Sequence, residues 1–163
     1  MLIELSVPTA HDMKAVGEAV ASVLAPGDVV SLTGELGAGK TTLVQGAAAA
    51  LGVHDRVMSP TFTLVREYRD ARISVFHIDV YRLDRIQDVL DLGFEEMTDG
   101  GGVVFVEWGD AIETLLPDAH LRVELVSVGA GDERGAVLEG SGASWADRWT
   151  RLERALEAWR LPA

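Results

Sequence analysis

The chain has 163 residues, of which 48% are hydrophobic, with no cysteine and a formal net charge of −12. This size and apolar content suit one domain spanning residues 1–163 with a sizeable core, and the absence of cysteine excludes disulfides, cysteine zinc sites and a thiol nucleophile. The charge disfavours a protein that binds nucleic acid by itself, because an acidic surface repels the phosphate backbone.

The first residues predict a strand and not a targeting segment. Residues 2–7 alternate apolar and polar side chains, which is typical of a half-buried strand. The start lacks the basic and long apolar stretches of a signal peptide, and no run approaches the roughly 20 apolar residues that cross a bilayer. We therefore expect a soluble, cytoplasmic protein with no membrane partner.

A helix and a second strand are predicted next. Thr9 is a suitable N-cap for a helix from about residue 10 to residue 24, which Pro26 and Gly27 would end. Residues 28–33 form a short apolar run rich in β-branched side chains, which predicts a buried strand.

Residues 34–41, Gly-Glu-Leu-Gly-Ala-Gly-Lys-Thr, match the P-loop pattern G-x-x-x-x-G-K-[ST] between that strand and a helix ending at Gly52. The glycines let several backbone N–H groups point inward, and the helix start adds its partial positive charge. Lys40 can reach the β- and γ-phosphates of a nucleotide, and the Thr41 hydroxyl can bind Mg²⁺. The alternative is a glycine turn without a ligand, and the flanking strand and helix favour phosphate binding.

The middle of the chain predicts a hairpin and a central strand. Residues 62–68 and 73–79 have strand composition and are joined by a tight turn, so they must be antiparallel. A short helix at about 86–90 follows. The continuous apolar run 103–107 predicts a central strand covered on both faces.

The last third predicts a further hairpin and a final helix. Residues 121–128 alternate strongly, as in a sheet with one wet face, and residues 136–139 would close the hairpin. Ser144 is the expected cap of a helix to about Trp159, whose helically spaced tryptophans we expect in the core. The fold class is therefore α/β: a single-domain, P-loop NTPase-like mixed sheet flanked by helices, with antiparallel hairpins.

Acidic residues follow two of the predicted strands. Asp79 ends the strand at 73–79 and Glu107 ends the strand at 103–107, which is the Walker B arrangement that brings a carboxylate near Mg²⁺. Thr61 lies where many P-loop proteins have a switch segment that contacts the γ-phosphate and metal. His77 should share the face of Asp79, although a lone histidine is more often structural. Trp108 either lines the site or packs in the core.

Four blocks together resemble the TsaE (YjeE) family in their chain order: residues 34–42, 59–65, 77–83 and 107–108. The resemblance implies a mixed sheet flanked by helices and a Mg²⁺-dependent ATPase needed for threonylcarbamoyladenosine (t6A) at adenosine 37 of tRNA. It also implies action with TsaD and TsaB, where ATP hydrolysis resets the transferase between turnovers. Contact with tRNA would be made mainly through that complex.

The resemblance also implies roles for individual residues. Lys40, Asp79 and Glu107 would be catalytic, and Asp79 would orient either water or the metal. Thr41 and Glu107 would bind the metal, and Thr61 would act as the switch-like contact. Members of the family often carry threonine where Met13 stands here, which bears on the N-terminal part of the nucleotide site. The implied ATP-binding residues are Thr9, Ala10, Leu36, Gly37, Ala38, Gly39, Lys40, Thr41, Thr42, Thr61 and Arg134, with Thr9, Ala10 and Arg134 near the base or ribose.

Two other functions fit a P-loop. A small-molecule kinase would need arginines that clamp the phosphates, and the sequence clusters arginine at positions 66, 69, 72, 82 and 85. A nucleotide-gated binding module with little turnover would need the phosphate site without efficient hydrolysis. A GTPase is disfavoured, since neither of the two lysines lies in an Asn/Thr-Lys-x-Asp guanine-reading motif.

Overall fold

The computed structural model describes residues 1–60, 64–81, 86–91 and 93–162, which form a helix-flanked sheet. In these ranges, none of the helices has the length and apolar character needed to cross a membrane. Short 3₁₀ segments occur at Gly109–Leu115 and Glu157–Trp159. The strands are β1 (Leu2–Val7), β2 (Val29–Thr33), β3 (Val65–Tyr68), β4 (Val75–Asp79), β5 (Val103–Glu107), β6 (Leu121–Ser127) and β7 (Arg134–Gly140), and the helices are α1 (Ala10–Ala21), α2 (Lys40–Ala50), α3 (Ile86–Asp91), α4 (Phe94–Asp99) and α5 (Ala143–Ala155).

All seven strands belong to one mixed sheet in the order β1-β7-β6-β2-β5-β4-β3. The four strands β6, β2, β5 and β4 are parallel, and β3 and β7 pair antiparallel with β4 and β6 at the two ends of this group. Strand β1 pairs antiparallel with β7 and therefore runs in the same direction as the four parallel strands. Every residue of β2 and β5 is buried, as expected for strands with helices over both faces. The predicted α/β class, both hairpins and the central position of β5 are confirmed.

Alternate residues of β5 point into two separate apolar clusters. Val103 and Phe105 belong to the cluster that contains the buried faces of α1, α2 and α5. Val104 and Val106 belong to the cluster that contains Phe94 of α4 and its neighbours. By the same period of two, Glu107 lies on the face of the sheet that α2 covers.

Helices α1 and α2 approach each other at backbone distance because each carries a glycine at the contact. A Cβ atom on Gly17 would lie 2.1 Å from the Leu43 carbonyl oxygen, and one on Gly46 would lie 2.0 Å from the Lys14 carbonyl oxygen. Glycine is therefore the residue that permits this approach. The contact fixes α2, which begins at Lys40, against the helix that begins after Thr9.

Helix α5 packs its tryptophans into the core as predicted, but its start was wrongly predicted at Ser144. Ser144 lies inside the helix, and its carbonyl accepts a hydrogen bond of 2.9 Å from Arg148 Nε. The helix begins after Gly142, whose φ of +87° allows a tight turn against Ala119. It ends at Ala155, and residues up to Trp159 continue as a 3₁₀ segment.

Other element boundaries also differ from those predicted. Helix α1 ends at Ala21 and not at residue 24. Strand β3 begins at Val65, because Leu64 has a left-handed φ of +63° that interrupts an extended chain. Helix α4 was not predicted, and residues 61–63, which include Thr61, lie outside the described part of the chain.

Candidate nucleotide-binding site

The loop between β2 and α2 curls over the first turn of α2. Gly37 and Gly39 have φ values of +79° and +107°, and Gly39 is the residue that precedes the helix. Such a backbone is strained for residues with a Cβ, which explains the glycines in the motif. The loop thereby presents the N–H groups of the helix start, a common anion-binding arrangement.

Lys40 is buried and folds back onto the loop that precedes it. Its Nζ donates hydrogen bonds to the carbonyl oxygens of Gly34 at 2.5 Å and Glu35 at 3.0 Å. The ammonium also lies 4.0 Å from the centre of the Trp108 ring. Burial lowers the pKa of Lys40, and the negative charges of Glu107, Asp79 and Asp110 oppose that shift. The loop therefore holds a partly desolvated cation at its mouth.

Thr41 and Glu107 meet, although they are far apart in the chain. The Thr41 hydroxyl lies 3.0 Å from each carboxylate oxygen of Glu107. Thr41 belongs to the first turn of α2 and Glu107 ends β5, on the sheet face that α2 covers. Hydroxyl and carboxylate oxygens are hard donors of the kind that Mg²⁺ prefers alongside phosphate oxygens and water. The two residues predicted as metal ligands thus form a donor pair that fits this ion.

Asp79 ends β4 directly beside Glu107, and the two residues are partners in the parallel register of β4 and β5. One Asp79 oxygen accepts a 2.9 Å hydrogen bond from the Ser59 hydroxyl, and the other accepts a 3.0 Å bond from the Tyr81 backbone N–H. The carboxylate is buried. Two fixed donors therefore orient Asp79 at the same sheet edge as Glu107.

Two aromatic side chains stand beside these carboxylates. The Trp108 ring lies 4.9 Å, centre to centre, from the Tyr81 ring, and Trp108 adopts a left-handed φ of +64° directly after Glu107. Both residues line the cavity at the site. The two interpretations of Trp108 left open by the sequence both hold, because the side chain lines this cavity and also packs against the apolar cluster that contains Phe94.

A cavity of about 510 Å³ joins most of the predicted residues. Ser59 and Tyr81 also line it, and the sequence did not single them out. Their positions in the sequence could have indicated a place in the site, since Ser59 precedes the predicted switch and Tyr81 comes two residues after Asp79. The lining residues are Leu36, Gly37, Gly39, Lys40, Thr41, Thr42, Ser59, Asp79, Tyr81, Glu107 and Trp108.

A smaller cavity of about 80 Å³ also borders the P-loop and contains Thr9, Ala10, Met13 and Arg134 in its wall. Arg134 Nη2 donates a 3.1 Å hydrogen bond to the Gly37 carbonyl oxygen. The Thr9 hydroxyl accepts from the Asp12 N–H at 3.1 Å, which confirms its role as the cap of α1. These residues adjoin the P-loop, whereas Ala38 is buried and lines neither cavity.

Three of the five arginines considered for a phosphate clamp lie outside the large cavity. Arg69 pairs with Glu67 at 2.8 Å, and Arg72 donates to the Ala50 carbonyl oxygen at 2.8 Å. Arg66 lies over the Tyr68 ring. None of these three lines the large cavity, and Arg82 and Arg85 lie outside the described residues.

Similarity to known proteins covers most of the chain. A family model described as "Threonylcarbamoyl adenosine biosynthesis protein TsaE" matches residues 7–135. The tRNA threonylcarbamoyladenosine biosynthesis protein TsaE of Bacillus subtilis is 43% identical over 124 residues, which cover 76% of this chain and 77% of that protein. The protein of the same name from Mycobacterium bovis is 37% identical over 138 residues, which cover 79% and 82%. The crystal structure of Bacillus subtilis YdiB aligns with a TM-score of 0.82 and 34% identity over 94% of this chain and 95% of that chain.

Proposed function

The chain belongs to the TsaE family, and on this premise we propose that it is a Mg²⁺-dependent ATPase. It acts with TsaD and TsaB in the threonylcarbamoyl modification of adenosine 37 in tRNA, and ATP hydrolysis resets the transferase. The observation that carries the proposal is the contact of Thr41 with Glu107 at the P-loop. This contact places the Glu107 carboxylate next to the P-loop, where it suits a cation that is bound to the phosphates.

The P-loop binds the phosphates of ATP. Backbone N–H groups at the start of α2 face the anion, and Lys40 Nζ exchanges its bonds to the Gly34 and Glu35 carbonyl oxygens for phosphate oxygens. That exchange is favourable because an anionic acceptor forms stronger hydrogen bonds with an ammonium than a carbonyl does. Thr41 and Glu107 would hold Mg²⁺, which neutralises charge on the β- and γ-phosphates when bound.

Asp79 acts on the attacking water. Its carboxylate lies beside Glu107 at the sheet edge and is oriented by Ser59 and by the Tyr81 N–H. An oriented carboxylate that accepts a hydrogen bond from water directs an oxygen lone pair toward the γ-phosphorus. Water then forms the new P–O bond as the bond to the β-phosphate oxygen breaks, and the released proton passes to Asp79 or solvent.

The surface charge supports indirect contact with tRNA. With a net charge of −12, the chain repels a phosphate backbone, so we propose that TsaD and TsaB provide the tRNA-binding surface. A cytoplasmic location accords with this role and with the absence of cysteine. A tight, salt-sensitive complex of the isolated chain with tRNA would contradict the proposed division of labour.

Phosphate release tests the proposed function directly. We expect the chain to release inorganic phosphate from ATP only with Mg²⁺, and the rate to rise when TsaD and TsaB are both added. Phosphorylation of an added acceptor without phosphate release would instead identify a small-molecule kinase. ATP binding without phosphate release in any combination would identify a nucleotide-gated binding module.

A further inference from the structure

A fully buried imidazole stands behind the carboxylate that we assign to the metal. His77 on β4 has 0% of its surface exposed, and its Nε2 lies 2.5 Å from Glu107 Oε2. It does not line the large cavity. The sequence placed His77 on the same face as Asp79 and left its role open, and the proposed mechanism above does not use it.

The direction of this hydrogen bond follows from the partners. An ionised carboxylate only accepts, so the proton must reside on His77 Nε2. The ring's other nitrogen, Nδ1, has no hydrogen-bond partner among the described residues. His77 is therefore committed to Glu107, and it donates from Nε2 in either protonation state.

The bond makes the two Glu107 oxygens unequal. The single Thr41 O–H lies 3.0 Å from both oxygens and is shared between them, whereas Oε2 also accepts from His77 and no second donor to Oε1 is found within the described chain. A carboxylate has about four lone-pair directions, so Oε1 retains more capacity for a cation. Without His77, rotation about the end of the glutamate side chain would interchange the two oxygens.

We infer that His77 is a positioning residue that fixes the Glu107 carboxylate so that Oε1 is presented to a divalent cation. This inference rests on the proposed function, because it assumes that Glu107 binds the metal ion that accompanies the nucleotide. Partners behind a ligand typically change metal affinity about 10- to 100-fold when removed. His77 would act before any chemistry, on metal affinity and geometry.

Two substitutions separate the hydrogen bond from the volume of the ring. His77→Phe keeps a planar ring of similar size but lacks the N–H donor. His77→Gln retains an amide N–H near the position of Nε2. Val75→Ala is a matched control, because Val75 is a fully buried residue of the same strand and face and lies in the apolar cluster away from Glu107.

The probe is Mn²⁺ in the presence of ATP, with free Mn²⁺ measured by electron paramagnetic resonance against the same ATP solution without protein, because ATP alone also binds Mn²⁺. We expect His77→Phe to raise the Kd for Mn²⁺ about 10- to 100-fold, and His77→Gln to stay within about threefold of the parent. ATP affinity in excess EDTA, measured by calorimetry, should remain unchanged in both variants. Val75→Ala should lose stability in urea but keep the parent affinity for Mn²⁺.

Each contrary result has a distinct meaning. Parent-like Mn²⁺ affinity in a folded His77→Phe variant, or equal losses in the Phe and Gln variants, would overturn the positioning role. An equal loss in Val75→Ala would also overturn it, since a general weakening of β4 would then explain the effect. If the parent chain with ATP bound no more Mn²⁺ than ATP alone, the proposed metal-dependent function itself would fail.

Discussion

Replacing Gly46 with alanine tests whether the backbone contact between α1 and α2 requires glycine. A Cβ atom there would lie 2.0 Å from the Lys14 carbonyl oxygen and 2.6 Å from the Lys14 Cα. Both are backbone atoms, so no side-chain rotation relieves the clash. The helices must separate by about 1 Å to reach 3.0 Å, a distance below which real Cβ contacts essentially never occur.

Two opposing energies set the size of the effect. Overpacking of this kind costs about 1–3 kcal/mol, and a clash with backbone belongs at the upper end of that range. Alanine recovers about 1 kcal/mol because it favours helix more than glycine does. We expect the free energy of unfolding to fall by about 2 kcal/mol, which lowers the thermal midpoint by about 4–8 °C for a chain of this size.

Urea unfolding followed by circular dichroism measures this loss, provided that the slope m stays constant. Gly131→Ala is the matched control, because an added Cβ at Gly131 meets nothing within 4 Å. We expect that control to lie within about 0.5 kcal/mol of the parent. A Gly46→Ala variant as stable as the parent would refute the steric reasoning.

Three further predictions concern the site. Lys40→Ala should raise the Kd for ATP about 10- to 100-fold in calorimetry, because it removes a charged donor to phosphate; an unchanged Kd would contradict that role. Asp79→Ala and Glu107→Ala should retain ATP binding but lower phosphate release about 100-fold, and normal tRNA modification by either variant would contradict a role in hydrolysis. Burial lowers the pKa of Lys40 in the folded chain below its ordinary value of 10.5. At a pH between these two pKa values the unfolded chain binds more protons than the folded chain, so the free energy of unfolding rises with pH. Urea titrations across that window should show a smaller rise for Lys40→Met than for the parent, and parallel curves would contradict the shift.

Local sequence patterns were sufficient to predict most elements. The apolar run of β5 indicated a strand covered on both faces, and the short turn before β4 required an antiparallel partner. The P-loop was predicted from its glycines and its flanking elements. These features depend on residues that are close in the sequence, so they can be predicted without the tertiary structure.

Features that depend on distant contacts could not be predicted in the same way. The alternation of side chains along β5 places Glu107 on one face of the sheet. Its contact with Thr41, however, depends on the order of the strands in the sheet. The commitment of His77 to Glu107 likewise depends on the register of β4 against β5. Helix α4 has six residues and begins after a left-handed Gly93, so it lacked both periodicity and a polar cap.

The position of β2 in the sheet has a consequence for biosynthesis. β2 leads into the P-loop, yet both of its neighbouring strands, β5 and β6, come from the second half of the chain. Because a nascent chain emerges from its N-terminus, the P-loop is synthesised well before any strand that can hold β2 in the sheet. Nucleotide that binds only the completed site stabilises only finished molecules. ATP binding would then discriminate between a complete fold and a truncated or stalled chain, even though the whole phosphate-binding motif is present in both.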